Sequence, residues 1–125
     1  MAKIIIAEDD NDIRELISFT LRYAGHHVLS FSNGDDAWNQ ILLEKPDLVI
    51  LDVRMPVVSG YEVCQRIKKE SITTNIPVIF LSAKGQEEEI KIGFDLGAVD
   101  YVLKPFIPQS LNKKVEEILR HHNEE

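Results

Sequence analysis

Five apolar runs alternating with five amphipathic stretches predict an α/β chain, a doubly wound parallel sheet with helices on both faces. Three observations carry that expectation. The runs are short and rich in β-branched residues, as in strands buried on both sides. The stretches between them take the helical period, and the connections are short. The composition, 125 residues with 44% hydrophobic and 28% charged, is that of an ordinary globular chain. At this length roughly two-thirds of the unfolded surface is buried without help from disulfides or structural metal, so residues 1–125 are expected to form one domain.

The elements follow in order. Ile4, Ile5, Ile6 and Ala7 read as a buried strand that stops at the acids Glu8, Asp9 and Asp10. From about Asp12 a helix presents Ile13, Leu16, Ile17, Thr20 and Leu21 on one face, and Gly25 is placed to end it. Val28, Leu29 and Phe31 make the second strand, and Asn33-Gly34 leads into a helix carrying Ala37, Trp38, Ile41 and Leu42. Pro46 breaks that helix before a third strand, Asp47 to Asp52, D-L-V-I-L-D. Ser59 and Gly60 open a helix with Val63, Cys64 and Ile67 inward. Ile76 to Leu81 is the fourth strand, its early proline suiting a strand start. Glu87 to Leu96 is a helix closed by Gly97, and Val99 to Leu103 is the fifth strand. Pro108 begins a last helix bearing Leu111, Val115, Ile118 and Leu119, and the terminal HHNEE is expected to fray.

Charge and cysteine content narrow the function. Fourteen Lys and Arg against 21 Asp and Glu give a net charge of −7, which lacks the basic footprint of nucleic-acid or anionic-membrane binding. Cys64 stands alone, which excludes an internal disulfide and a cysteine zinc cluster and suits a small core residue in a reducing compartment. No apolar run approaches the ~18 residues of a membrane span. The N-terminal run collides with acids too early for a signal peptide, so a cytoplasmic protein is expected.

In an open parallel sheet, ligands bind beyond the carboxyl ends of the strands. Those positions here hold Glu8, Asp9 and Asp10 after the first strand, Asp52 after the third, Ser82 after the fourth, and Lys104-Pro105 after the fifth. Singly each has a plain structural explanation: an N-cap at Asp9, Asp10 or Asp12, a turn cap at Ser82, a solvated lysine at Lys104. Together they place several carboxylates at one sheet edge, where they repel unless a cation sits among them. Few hard oxygen donors suit Mg²⁺, which keeps waters and binds phosphate oxygens. The loop E-D-D-N-D is unsuited to holding an anionic cofactor phosphate, and no Gly-rich nucleotide loop occurs anywhere.

These motifs resemble the receiver domain of bacterial response regulators. The resemblance rests on E-D-D after the first strand, L-D-V-R-M-P with Gly60 four residues past Pro56, L-S-A-K after the fourth strand, and D-Y-V-L-K-P-F around the fifth. It runs from Lys3 through the last helix. It implies a flavodoxin-like sheet of order 2-1-3-4-5, with Asp52 as phosphoacceptor. It further implies Mg²⁺ held by Asp9, Asp52, the backbone carbonyl of Arg54, and Glu8 directly or through water. Ser82 would reach the phosphoryl group, Lys104 would neutralise one of its oxygens, and Tyr101 stands at the aromatic switch position. The face of the fourth helix, fifth strand and fifth helix would carry the readout. The implied partners are a sensor histidine kinase or phosphotransfer protein upstream and an effector or output domain downstream, with a monomer or weak dimer as the assembly.

A carboxylate such as Asp52 is a competent nucleophile toward phosphorus, so the expected chemistry is self-phosphorylation and slow hydrolysis in a signalling module rather than a metabolic enzyme. Two other readings stay open here: a receiver that binds protein without being phosphorylated, and a Mg²⁺-dependent phosphohydrolase. The second wants an acid two residues past the nucleophile, where Arg54 stands. Arg54 and Lys84 each follow a site residue by two and are read either as solvated cations or as groups over the phosphoryl. Ile92 and Val99 replace charges common in a dimerising branch of the family, and helix-strand packing is the favoured reading for both. Val57 and Val58 make their loop unusually apolar. Histidines 26, 27, 121 and 122 read as solvated, Trp38 as partly buried packing, and Glu87, Glu88 and Glu89 as complements to a helix dipole.

Overall fold

The computed structural model describes residues 2–83 and 86–123. Five strands and five helices alternate as β1 (Lys3–Ala7), α1 (Asn11–Tyr23), β2 (His27–Phe31), α2 (Gly34–Glu44), β3 (Leu48–Asp52), α3 (Gly60–Lys69), β4 (Val78–Ala83), α4 (Glu87–Asp95), β5 (Asp100–Lys104) and α5 (Pro108–Asn123). All neighbouring strands pair in parallel, in the order β2-β1-β3-β4-β5. The expected architecture and strand order are both borne out.

Alternation along each strand splits the core in two. Ile5, Ala7, Val49, Leu51, Val78 and Phe80 face one layer with α2 and α3, together with Ala37, Ile41, Val63, Cys64 and Ile67. Ile4, Ile6, Leu48, Ile50, Ile79 and Leu81 face the other, with Ile17 and Leu21 of α1 and Leu111 and Val115 of α5. Burying each such aliphatic side chain contributes roughly 1.5–3 kcal/mol, so the three central strands anchor the domain. Trp38 packs partly buried against the first layer, as read from the sequence.

Local signals set the helix ends. Asp10, among the three acids considered, is the N-cap of α1, its side chain accepting from Ile13 N at 3.0 Å. Asn33 and Ser59 cap α2 and α3 in the same way. Ahead of Pro46, α2 stops at Glu44 and Lys45 turns into the left-handed region at φ 44°.

Several boundaries differ from expectation: β3 starts at Leu48 rather than Asp47, α4 ends at Asp95 rather than Leu96, and β5 runs Asp100–Lys104 rather than Val99–Leu103. β4 starts at Val78 rather than Ile76, because Pro77 has no amide hydrogen and contributes only its carbonyl, accepting from Val49 N at 3.0 Å. It continues through Ser82 and Ala83, which pair with Leu103 and Lys104. The C-terminal segment is also more ordered than read: α5 continues through His121, His122 and Asn123, and His122 Nε2 lies 2.8 Å from the Asn75 carbonyl oxygen. Within each histidine pair one ring is exposed and the other half-buried, and His26 Nδ1 accepts from Ala2 N at 3.2 Å.

The two valines after Pro56 have separate accounts. Val58 is buried in the first core layer, which explains its apolar character. Val57 is 92% exposed and sits at φ 69° in a tight turn closed by Val58 N donating to Pro56 O at 2.8 Å. A β-branched residue is strained there. Ile92 and Val99 are each 42% exposed rather than packed away, which corrects the reading favoured from sequence.

Two substitutions in this loop should act in opposite directions. Val57→Gly relieves left-handed strain of roughly 1–2 kcal/mol against about 0.5–1 kcal/mol of backbone freedom, so its urea midpoint should rise slightly. A lowered midpoint would refute the strain argument. Gly60→Ala places a Cβ 2.2 Å from the Asp52 carbonyl oxygen and should destabilise by at least about 2 kcal/mol, measured in the same way.

Candidate functional site

The carboxyl ends of β1, β3 and β5 bring Glu8, Asp52 and Lys104 together, although they lie 44 and 52 residues apart in sequence order. The Lys104 ammonium lies 3.2 Å from Asp52 Oδ1 and 3.2 Å from Glu8 Oε1. Glu8 is fully buried and Asp52 nearly so, whereas Asp9 is exposed. Glu8 is held from several sides: its Oε2 accepts from Asp10 N at 3.1 Å, its carbonyl accepts from Arg14 at 2.8 Å, and its amide donates to Phe31 O at 3.0 Å. This side chain therefore has little freedom to retreat.

Electrostatics follow from that confinement. Burial raises the Glu8 pKa from 4.5 to about 7, with the neighbouring Asp52 carboxylate adding to the shift and Lys104 opposing it. Burial also raises Asp52, against the pull of Lys104. Burial alone would lower Lys104, but the facing carboxylates of Asp52 and Glu8 outweigh it and hold the ammonium above its ordinary value. One cation serves two buried acids.

The third acid completes a donor set. Glu8, Asp9 and Asp52 each offer a carboxylate oxygen, and these oxygens lie within 4.8 Å of one another. Oxygen-only donors in a partly solvated pocket fit Mg²⁺ better than a softer metal. The pocket has a volume of about 350 Å³ and opens past Asp10, Arg54 and Glu89. Among the described residues no other cluster of three metal-capable side chains occurs.

The remaining predicted residues are placed as follows. Ser82 is buried and its hydroxyl donates to Glu89 Oε1 at 2.9 Å, so it does not cap a turn. The Arg54 side chain is extended toward α4, with Nε 2.5 Å from Glu89 Oε2 and Nη2 3.4 Å from Gln86 Oε1, and is not a free cation. Lys84 lies outside the described residues. Tyr101 is half-buried, its ring edge-to-face with Phe94 at 5.9 Å and under the Lys114 ammonium at 5.2 Å. Cys64 is buried, and burial pushes its thiol up to about 11.

Sequence reasoning missed Glu89. Three successive acids at the start of α4 are satisfied by the helix dipole, which leaves nothing to single one out. Only the packing of α4 over the end of β4 separates buried Glu89 from exposed Glu87 and Glu88.

Comparison with known proteins decides the family. The sequence model of the response regulator receiver domain matches residues 4–116. The chain belongs to that family. Among its relatives, the phosphate regulon transcriptional regulatory protein PhoB of Pseudomonas aeruginosa is 40% identical over 117 residues, covering 94% of this chain and 51% of PhoB. The alkaline phosphatase synthesis transcriptional regulatory protein PhoP of Bacillus subtilis is 37% identical over 118 residues, 94% of this chain and 48% of PhoP. This receiver thus spans about half the length of the curated relatives it matches. Among solved structures, the chemotaxis protein CheY4 of Vibrio cholerae superposes with a TM-score of 0.88 at 31% identity, covering 94% of the receiver and 98% of CheY4. A response regulator receiver domain protein of Clostridium thermocellum gives 0.90 at 29% identity, covering 98% of each chain.

The raised carboxyls make a pH prediction. A carboxyl whose folded pKa lies above its unfolded value binds an extra proton in the folded state, so stability falls as pH rises through the interval. For Glu8 that interval runs from 4.5 to about 7. With chelator present, the melting temperature should drop by several degrees from about pH 5 to about pH 7.5, and millimolar Mg²⁺ should remove the drop. A chelated receiver whose melting temperature is flat or rising across this window would contradict the burial argument.

Proposed function

We propose that this receiver accepts a phosphoryl group on Asp52 from a phosphohistidine of a sensor kinase or phosphotransfer protein. The observation that carries the reading is the geometry around Asp52: a buried carboxylate, one lysine 3.2 Å away, and two further acids within coordinating distance. Residues 1–125 are read as one receiver domain acting in the cytoplasm; no helix of the described residues is long and apolar enough to cross a membrane.

Mg²⁺, held by Asp9, Asp52, the Arg54 backbone carbonyl and Glu8 directly or through water, would supply charge neutralisation between the incoming phosphoryl group and the acids. The protein's own groups supply the rest. An Asp52 carboxylate oxygen attacks phosphorus, the bond to the donor nitrogen breaks, and the donor leaves with that electron pair. Lys104, already oriented between Asp52 and Glu8, offers N–H donors to a phosphoryl oxygen. Buried Glu8 keeps Lys104 charged and in place. Hydrolysis of the aspartyl phosphate by water returns the free acid.

Signalling then follows from added charge. The phosphoryl group brings nearly two negative charges and strong acceptor oxygens to the ends of β3 and β4. Ser82 is the hydroxyl donor in reach of that edge, and its movement would alter how α4 packs on β4 and how Tyr101 sits against Phe94. The readout face is α4, β5 and α5, engaged by an effector or output domain. A phosphohydrolase is disfavoured, since the position that needs a second acid holds Arg54, whose guanidinium is bound to Glu89.

Incubation with acetyl phosphate and Mg²⁺ should add one phosphoryl mass to the wild-type protein and none to Asp52→Asn, measured by intact mass spectrometry. Chelation should abolish the adduct. An equal adduct on Asp52→Asn would reject Asp52 as the acceptor.

A further inference from the structure

We propose that Glu89 is a positioning residue for this reaction, a latch that holds the Ser82 hydroxyl away from the phosphoryl pocket until Asp52 is loaded. The inference rests on the reading of Asp52 as phosphoacceptor. Ser82 is 1% exposed, and its hydroxyl donates to Glu89 Oε1 at 2.9 Å. A serine has one O–H, so it cannot make this bond and donate to a phosphoryl oxygen at the same time. The pocket beside Asp52 and Lys104 is lined by Leu81, Ala83 and Glu89, but not by Ser82. Glu89 thus both holds the hydroxyl and lines the pocket.

The second carboxylate oxygen is braced by Arg54, whose Nε lies 2.5 Å from Glu89 Oε2 and which lines the same pocket. Loading Asp52 offers the Ser82 hydroxyl a second anion: it turns to a phosphoryl oxygen and Glu89 loses that bond. The backbone at this position is tied to α3 as well, since the Tyr61 hydroxyl donates to Glu89 O at 3.0 Å. Release of the side chain thus acts on the N-terminal half of α4 against a fixed point.

Beryllofluoride with Mg²⁺, a phosphoryl mimic, provides the test. Its affinity is measured by fluorine NMR titration on wild type, Glu89→Ala, Glu89→Gln, Ser82→Ala and the Ser82→Ala/Glu89→Ala double variant. Loss of a charge-assisted hydrogen bond that opposes binding should tighten the mimic by about tenfold in Glu89→Ala. Glu89→Gln, whose amide oxygen still accepts from Ser82, should gain less. In the Ser82→Ala background, removing Glu89 should change affinity by no more than about twofold, because the latch has lost its partner. An unchanged or weaker affinity in Glu89→Ala overturns the latch. So does an equal gain in both backgrounds, which would mean simple repulsion between Glu89 and the anion. A wild-type protein that binds no beryllofluoride overturns the Asp52 reading and the latch together.

Discussion

One lysine shared between two buried carboxylates is the interaction on which the site depends. Glu8 directly follows β1 and Asp52 ends the adjacent β3, so sheet pairing brings their side chains to the same edge whatever their mutual repulsion. Lys104 comes from the edge strand two positions away and lies 3.2 Å from both acids. Among the described residues, two buried carboxylates share one ammonium, a deficit that burial makes expensive. The raised carboxyl groups express that deficit, and the carboxylate oxygens of Glu8, Asp9 and Asp52 lie close enough together to hold a cation that would offset it.

Around that edge, the fold separates rigid from adjustable parts. The three central strands are buried on both faces, with Asp52 at the end of β3 and Glu8 immediately after β1. β5 is half-exposed, and α4 has only a few buried residues, so this side of the sheet is held by less core than the central strands. Tyr101 sits in this looser region, wedged between Phe94 and Lys114.

Much of this was legible in the sequence because the informative residues end strands. Asp52 closes an apolar run and Lys104 precedes a proline, so topology alone brings them together. Asp10, Asn33 and Ser59 declare their helix starts by side-chain type. What stayed hidden depends on contacts between distant segments. The role of Glu89 needs the packing of α4 on β4, and among three adjacent acids local chemistry has no reason to prefer it. The extra turn of α5 is met by a carbonyl of Asn75, 47 residues away. The start of β4 was misplaced for a subtler reason: Pro77 reads as part of an apolar run, yet its missing hydrogen makes Val78 the first paired residue.

The lone cysteine carries a practical consequence. Cys64 lies on the buried face of α3, and its thiol, pushed up to about 11, is almost entirely un-ionised at neutral pH. Thiol-directed reagents attack the thiolate, so the native protein is silent to them while folded. A cysteine introduced on α4 or α5 would take up a spin label or dye alone, without first removing the native one. The chain is its own blank for spectroscopy of the response face.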